Sequence, residues 1–357
     1  MKSVGIKGLH HVTLVTGNYQ VNSTFYVELM GLRRVKLSVN QDDVYHRHAF
    51  YANPTSTVGS TITFFEWPHL ARGHPGLGVP HHIAYRVRSA ESLSSWYWWL
   101  KSRSVPVAGP FERFYGFSIY VCDPDGAIVE IVTPKDGLNL DYVKELLNRG
   151  IEVKHIDDEM KLIAFDHATI IGQDAELVCR FYEKFVGVST WEKVIDEGGR
   201  TYLVALDDER NAYLHYLIPN EADYGLVGRG AIHHVAFAVD DELDQRSIMR
   251  RLNSVNLSNS GIVDRFWFRS LYFRDPDGNL LEVATVGPGY AVDEPWDQLG
   301  NKLVLPPWIE SMRPEIEEAL AKLDSDNPFR WPPDFPVLPE DPEVYPPSQT
   351  RSNTLNT

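Results

Sequence analysis

The sequence predicts an α+β protein of four βαβββ modules followed by a Pro-rich C-terminal tail, and three observations carry that prediction. One long segment repeats without a gap at a fixed offset, and a second pair of segments repeats at another. Within each repeat a short apolar strand precedes a stretch at helical spacing and then strands punctuated by turns. In the first repeat HHIAYRV from His81 lies over HHVAFAV from His233, 152 residues on. The register continues through RFYGFSIYVCDPDGAIVEIVT from Arg113 over RFWFRSLYFRDPDGNLLEVAT from Arg265, pairing Arg113 with Arg265, Tyr120 with Tyr272 and Glu130 with Glu282. In the second, LHHVTLV from Leu9 lies over FDHATII from Phe165, matching His11 to His167, Phe25-Tyr26 to Phe181-Tyr182 and Gly31 to Gly187. The modules therefore follow one another as A, B, A′ and B′.

Residues 1–134 hold the first pair of modules, 135–164 a linker, 165–287 the second pair and 288–357 a C-terminal extension. Residues 89–104 carry Leu93, Trp96, Tyr97 and Leu100 at helical intervals, which predicts the helix of module B. DPDG at Asp123 and Asp275 is a turn signal, with Asp closing a side-chain turn and Gly supplying positive φ. Within the linker an amphipathic helix is expected over 138–149. Beyond Gly287 a helix is expected over 313–323. The remaining segment is too rich in Pro and polar residues to pack as a unit, so it wraps the body or is disordered.

The apolar share of 43% and charged share of 23% are ordinary for a soluble globular protein. A formal charge of -15 argues against a nucleic-acid surface, which needs clustered Lys and Arg. The chain has no apolar run long enough to span a membrane, and its start lacks a signal-peptide cleavage pattern, so a cytoplasmic location without membrane contact is expected. Cys122 and Cys179 stand far apart without a Cys-x-x-Cys pattern and are expected to be two buried thiols.

Because a strand sends neighbouring side chains to opposite faces, only one member of His10-His11, His81-His82 or His233-His234 can point into a given site. Module A′ reads Asp166-His167, so the shared member is the second: His11, His82, His167 and His234. Two residues later each has a small or short neighbour, Thr13, Ala84, Thr169 or Ala236, leaving room beside the imidazole. Glu130 and Glu282 each stand 48 residues after their module's histidine. Two imidazoles and a carboxylate can hold one face of a metal and leave the other open, as non-haem Fe(II) oxygenases require. A lone strand histidine would more often be structural; four in register with two carboxylates point to at least one metal site.

The motifs LHHVTLVTG, GAIHHVAFAV and RDPDGNLLEVAT resemble two-domain members of the vicinal oxygen chelate superfamily, which includes glyoxalases, bleomycin resistance proteins and extradiol dioxygenases. The resemblance is strongest to the ring-cleaving dioxygenases that act on hydroquinones, and it covers nearly everything before the tail. It implies two domains with curved mixed sheets around clefts. It also implies Fe(II), with Mn(II) as an alternative, held by His11, His234 and Glu282. The partners implied are a small aromatic diol and O₂, in a homo-oligomer. The family's catalytic positions beside the metal fall on His10, Arg265 and Tyr272. His10 and Tyr272 are expected as acid/base or hydrogen-bonding groups, and Arg265 as an orienting group or a stabiliser of negative charge. Structural alternatives remain: an ion pair of Arg265 with Asp275 or another acid, and an ordinary sheet tyrosine at Tyr272. HAFYAN at His48 resembles a family strand motif, so His48 is expected at the pocket wall.

Modules B and A′ depart from the hydroquinone pattern by retaining His82, His167, Glu130, Arg113 and Tyr120, which raises the prospect of a second, pseudo-symmetric metal site with Asp166 in place of His10. Three other functions compete. A glyoxalase-type isomerase or lyase would use His11, Glu66, His82 and Glu130. A catechol-cleaving extradiol enzyme would use the same triad as the hydroquinone branch. A metal-free binder of aromatic compounds would need apolar walls but no ligands. His46, His69, His74, His155 and His215 lack repeat partners and are expected at the surface or in structural hydrogen bonds.

Overall fold

The computed structural model describes residues 6–343 except 189, 197–198 and 207–211. All four modules have the expected βαβββ order. The first comprises β1 (Leu9–Thr16), α1 (Tyr19–Ser23), β2 (Arg33–Asn40), β3 (Asp43–Ala52) and β4 (Thr61–Glu66). The second comprises β5 (His82–Arg86), α2 (Ala90–Lys101), β6 (Val107–Glu112), β7 (Gly116–Cys122) and β8 (Ile128–Pro134). After the linker helix α3 (Leu140–Asn148), the third has β9 (Phe165–Ile171), α4 (Ala175–Phe181), β10 (Thr190–Ile195), β11 (Thr201–Leu206) and β12 (Ala212–Ile218). The fourth has β13 (Ile232–Val239), α5 (Glu242–Asn253), β14 (Asn259–Asp264), β15 (Arg269–Arg274) and β16 (Leu280–Thr285), and α6 (Arg313–Asp326) lies in the extension. The helices expected at 89–104, 138–149 and 313–323 are α2, α3 and α6.

Local chemistry explains these boundaries. Helix α2 starts where the Ser89 side chain accepts from the Ser92 amide, and it carries Glu91 in its first turn and Lys101 in its last, matching the helix dipole. Its buried face presents Leu93, Trp96 and Leu100 to the core. The Trp96 indole N–H donates to the Met160 carbonyl at 2.6 Å, pinning the linker over the helix. At the DPDG turn a single oxygen of Asp123 accepts from the amides of Asp125, Gly126 and Ala127 at 2.8–2.9 Å, and Gly126 takes φ +105°.

Two 8-stranded sheets result, ordered β14-β15-β16-β13-β1-β4-β3-β2 and β10-β11-β12-β9-β5-β8-β7-β6. Each draws one module from either half of the chain: A joins B′, and B joins A′. In every module the first strand pairs parallel with the last, a connection its helix makes possible, while the two modules meet through antiparallel first strands, β1 on β13 and β5 on β9. Strand alternation then divides labour. Val12 and Leu14 of β1, with Val235 and Phe237 of β13, enter the main core, leaving His11, Thr13, His234 and Ala236 on the opposite face.

Cys122 is buried as expected, whereas Cys179 on α4 is only half-buried. Of the two fates foreseen for the Pro-rich segment, the described part wraps the body: Trp331 and Phe335 pack on the main core, and Glu343 is buried. Residues 344–357 lie outside the described residues. Among the described residues no helix is long and apolar enough to cross a membrane.

Candidate metal centre

Sheet register assembles the first centre. Across neighbouring strands His11 stands opposite Ala236, Ala236 opposite Glu282, and Glu282 opposite Tyr272. His234, two residues before Ala236, projects from the same face and lies opposite Thr13. The two imidazoles and the carboxylate therefore lean together over a methyl group, which is why the position between them must be small. Nε2 of His11 and of His234 lie 3.2 and 3.0 Å from Oε2 of Glu282, and all three residues are buried. Filling the space over that methyl should expel a metal. Ala236→Val is expected to lower metal retention at this centre at least about ten-fold while costing only about 1–3 kcal/mol of stability. Metal analysis after desalting and urea unfolding together check it; unchanged metal content would disprove the crowding argument.

The residue before each ligand orients it. Nδ1 of His11 lies 2.9 Å from Nδ1 of His10, and Nδ1 of His234 lies 2.8 Å from Nδ1 of His233. With Nε2 bare for a metal, Nδ1 must carry the proton and donate backwards, which fixes tautomer and ring orientation. Burial followed by the His11 charge lowers the pKa of His10 to about 3, keeping it neutral. On the carboxylate, the Ser270 hydroxyl donates to Oε1 and leaves Oε2 turned toward the imidazoles. Burial would raise the Glu282 pKa, but His11 and His234 outweigh it and hold it well below the usual range. The buried His234 Nε2 and Glu282 Oε2 nevertheless have no properly aligned hydrogen-bond partner. Such orphaned atoms of suitable donor type fit a divalent metal.

The open side of the triad faces a cleft walled by Phe50, Phe65, Trp267 and Phe268 and bordered by His48, Arg265 and Tyr272. His48 Nε2 is fixed by the Thr63 hydroxyl at 2.8 Å, and Thr63 also meets Thr13 at 2.8 Å. Arg265 pairs through two nitrogens with Asp42 at 2.6 and 3.2 Å, so its acid is Asp42 and not Asp275, which instead gathers turn amides. Its guanidinium lies 5.4 Å from the Tyr272 ring. Burial above all raises the Tyr272 pKa, keeping the phenol protonated. Arg265 and Tyr272 thus border this cleft, whereas His10 stands behind His11 and lines a separate cleft with Thr61, Phe268 and Tyr290.

The second set of repeat residues also converges. Ala84 lies between His167 and Glu130, Tyr120 lies opposite Glu130, and Nε2 of His82 and of His167 approach Glu130 Oε2 at 3.0 and 3.4 Å. Among the described residues these two triads are the groups spaced to hold a metal. Asp166 takes the place of the preceding histidine, accepting from His167 Nδ1 at 2.8 Å while pairing with Arg86 at 2.7 Å. Burial opposes protonation of His167, but Asp166 and Glu130 outweigh it and lift its pKa to about 9.

Two sequence expectations need correction. The glyoxalase set does not form: His11 belongs to one sheet, His82 and Glu130 to the other, and Glu66 is consumed by Arg47 at 2.7 Å and the Tyr19 amide at 2.8 Å. His215 is neither at the surface nor hydrogen-bonded; it is fully buried and stacked on His167 at 3.6 Å. The carboxylate-orienting Ser270 and Ser118 were overlooked, although both stand two residues before the repeat tyrosine and so share its face.

Comparison with known proteins identifies relatives of the chain. The family model for the glyoxalase/bleomycin resistance protein/dioxygenase superfamily matches residues 8–131 and 164–283. The Bacillus subtilis protein MhqA, named provisionally as a ring-cleaving dioxygenase, is 32% identical over 322 residues, covering 89% of this chain and 99% of its own. A Sphingobium indicum protein named chlorohydroquinone/hydroquinone 1,2-dioxygenase is 27% identical, with 87% and 95% covered. A crystal structure of a Bacillus subtilis protein, named provisionally as a dioxygenase, superposes with TM-score 0.75 at 29% identity over 88% of this chain and 96% of the other.

Proposed function

Because the chain belongs to the glyoxalase/bleomycin resistance protein/dioxygenase superfamily, we propose that it is an Fe(II)-dependent dioxygenase that opens hydroquinone-type aromatic diols with O₂ at His11, His234 and Glu282. The observation that carries this reading is a two-imidazole, one-carboxylate face directed into an aromatic-walled cleft. Divalent iron, or manganese, would supply there the electrons and open coordination positions that let O₂ react with a closed-shell ring.

The chain's own residues account for binding and proton handling. A divalent ion set against the single carboxylate of Glu282 leaves one net positive charge in a buried site, since Arg265 is already paired with Asp42. That charge favours a singly ionised phenol over a neutral one. Phe65 and Phe268 offer faces for the ring, and His48, held neutral by burial above all, adds an uncharged edge. Tyr272 keeps its proton and can donate it to an oxygen anion formed during cleavage, with Arg265 beside it to steady negative charge. His10 acts through His11 by setting its tautomer.

The protein should be loaded anaerobically with Fe(II) and given hydroquinone, catechol and their chlorinated forms. Oxygen uptake with hydroquinone, and both atoms of labelled O₂ in the ring-opened product, are expected; faster uptake with catechol would favour the extradiol reading. No uptake with any diol by iron-loaded protein would overturn the proposal. Tyr272→Phe should lower kcat by about 10²–10⁴-fold at unchanged iron content if Tyr272 donates a proton in the rate-determining step. An unaltered kcat would reduce it to a wall of the cleft.

A further inference from the structure

The second triad differs from the first in what lies against its open side. In the first centre that side is a cleft bordered by Arg265, Trp267 and Tyr272. Their repeat counterparts are Arg113, Tyr115 and Tyr120. Among those three sits the carboxylate of Glu343 from the C-terminal segment. It accepts from the hydroxyls of Tyr115, Tyr120 and Tyr202 at 2.5, 2.6 and 2.7 Å, and its Oε1 lies 3.9 Å from His82 Nε2. Two residues earlier Asp341 clamps Arg113 with bonds of 2.6 and 3.1 Å. Glu343 is 2% exposed and Glu130 fully buried.

We propose that His82, His167 and Glu130 form a second divalent-metal site, closed by Glu343 of the C-terminal segment and serving structure, not oxygen chemistry.

Charge and unmet bonding both ask for a cation there. Asp166 is balanced by Arg86, Asp341 by Arg113 and Arg200, and Arg113 Nε also lies 3.5 Å from Glu343. With the imidazoles neutral, as metal ligands must be, Glu130 and Glu343 set more carboxylate charge against a divalent ion here than Glu282 does in the first centre. The buried Nε2 of His167 has no hydrogen-bond partner, nor has either ring nitrogen of His215 stacked on it. The three donors converge from one side, and Glu343, 3.9 Å from His82 Nε2, covers the side that a diol and O₂ would need, so the centre is shut as structural metal sites are. The ion would also fasten the end of the chain to modules B and A′, because the Glu343 carboxylate lies beside its open side.

Cobalt(II) loading of the full chain under argon, followed by desalting and metal analysis, tests this directly. Two equivalents per chain are expected, with His167→Ala or the milder Glu130→Gln losing one and His234→Ala losing the other. Excess chelator should then remove the second ion from Glu343→Gln at least about ten-fold faster than from the parent protein, as loss of an orienting carboxylate commonly does. One equivalent in the parent and none in His234→Ala would overturn the proposal, leaving an ion-pair cluster at the second triad and the first centre intact. Two equivalents with chelator release unchanged in Glu343→Gln would overturn closure by the tail. Loss of both ions in Glu130→Gln with a folded circular-dichroism spectrum would overturn the separation of the two sites.

Discussion

Replacing His234 by Ala is expected to empty the first centre of iron and abolish diol-dependent oxygen uptake while the chain stays folded. A structural zinc site with four protein donors binds by roughly 10–16 kcal/mol, so one donor is worth about 3 kcal/mol, or on the order of 10² in dissociation constant. Only His11 and Glu282 would remain, and an ion so held should not survive desalting. Folding should persist because His234 contributes its metal face and not core packing: Val235 and Phe237, its strand neighbours, fill the opposite side. The vacated space is the size of an imidazole and opens to the cleft, so added imidazole should restore part of the iron and part of the uptake. Iron per chain and oxygen consumption read both effects. If His82→Ala emptied the active centre and His234→Ala did not, the assignment of the two triads would be reversed.

Much of this site can be read in the sequence because a repeat converts spacing into geometry. Module A′ carries Asp166 where the other modules carry a second histidine, and that single difference identifies His11, His82, His167 and His234 as the ligand-facing set. The small residues at Ala84 and Ala236 were equally visible, and they lie at the centres of the two triads. What could not be read is whatever depends on contacts between distant segments. Asp42 reaches Arg265 across 223 positions, and Glu343 reaches Tyr120 across 223 more, with no local pattern to announce either. A Pro-rich tail also looks the same in sequence whether it is free or bound, because its order comes from the surface that receives it. His215 escaped for a related reason: it has no repeat partner of its own, and the ring it stacks on, that of His167, stands on the neighbouring parallel strand.

Lys36 illustrates the same limit and supports the second large expected effect. In RRVKLSVN it reads as an ordinary strand lysine, yet its side chain is fully buried, and its ammonium donates to Asp293 at 2.7 Å and Glu294 at 2.6 Å. Asp293 also accepts from the Trp267 indole at 3.1 Å, and the ammonium lies 5.4 Å from that ring. The start of the C-terminal extension is thereby tied to β2 and to a wall of the active cleft. Lys36→Met keeps the aliphatic stem but leaves Glu294 as a buried, unpaired carboxylate, and breaking such a pair from one side costs about 3–5 kcal/mol. A matching fall in urea-unfolding free energy is expected. Adding Glu294→Gln should recover part of it, because the stranded charge is then removed. Since Trp267 loses the group beneath it, KM for the diol should rise more than kcat falls. A loss below about 1 kcal/mol would mean that water reaches Glu294 as soon as Lys36 is gone, and the extension would then be a loosely held cover instead of part of the wall.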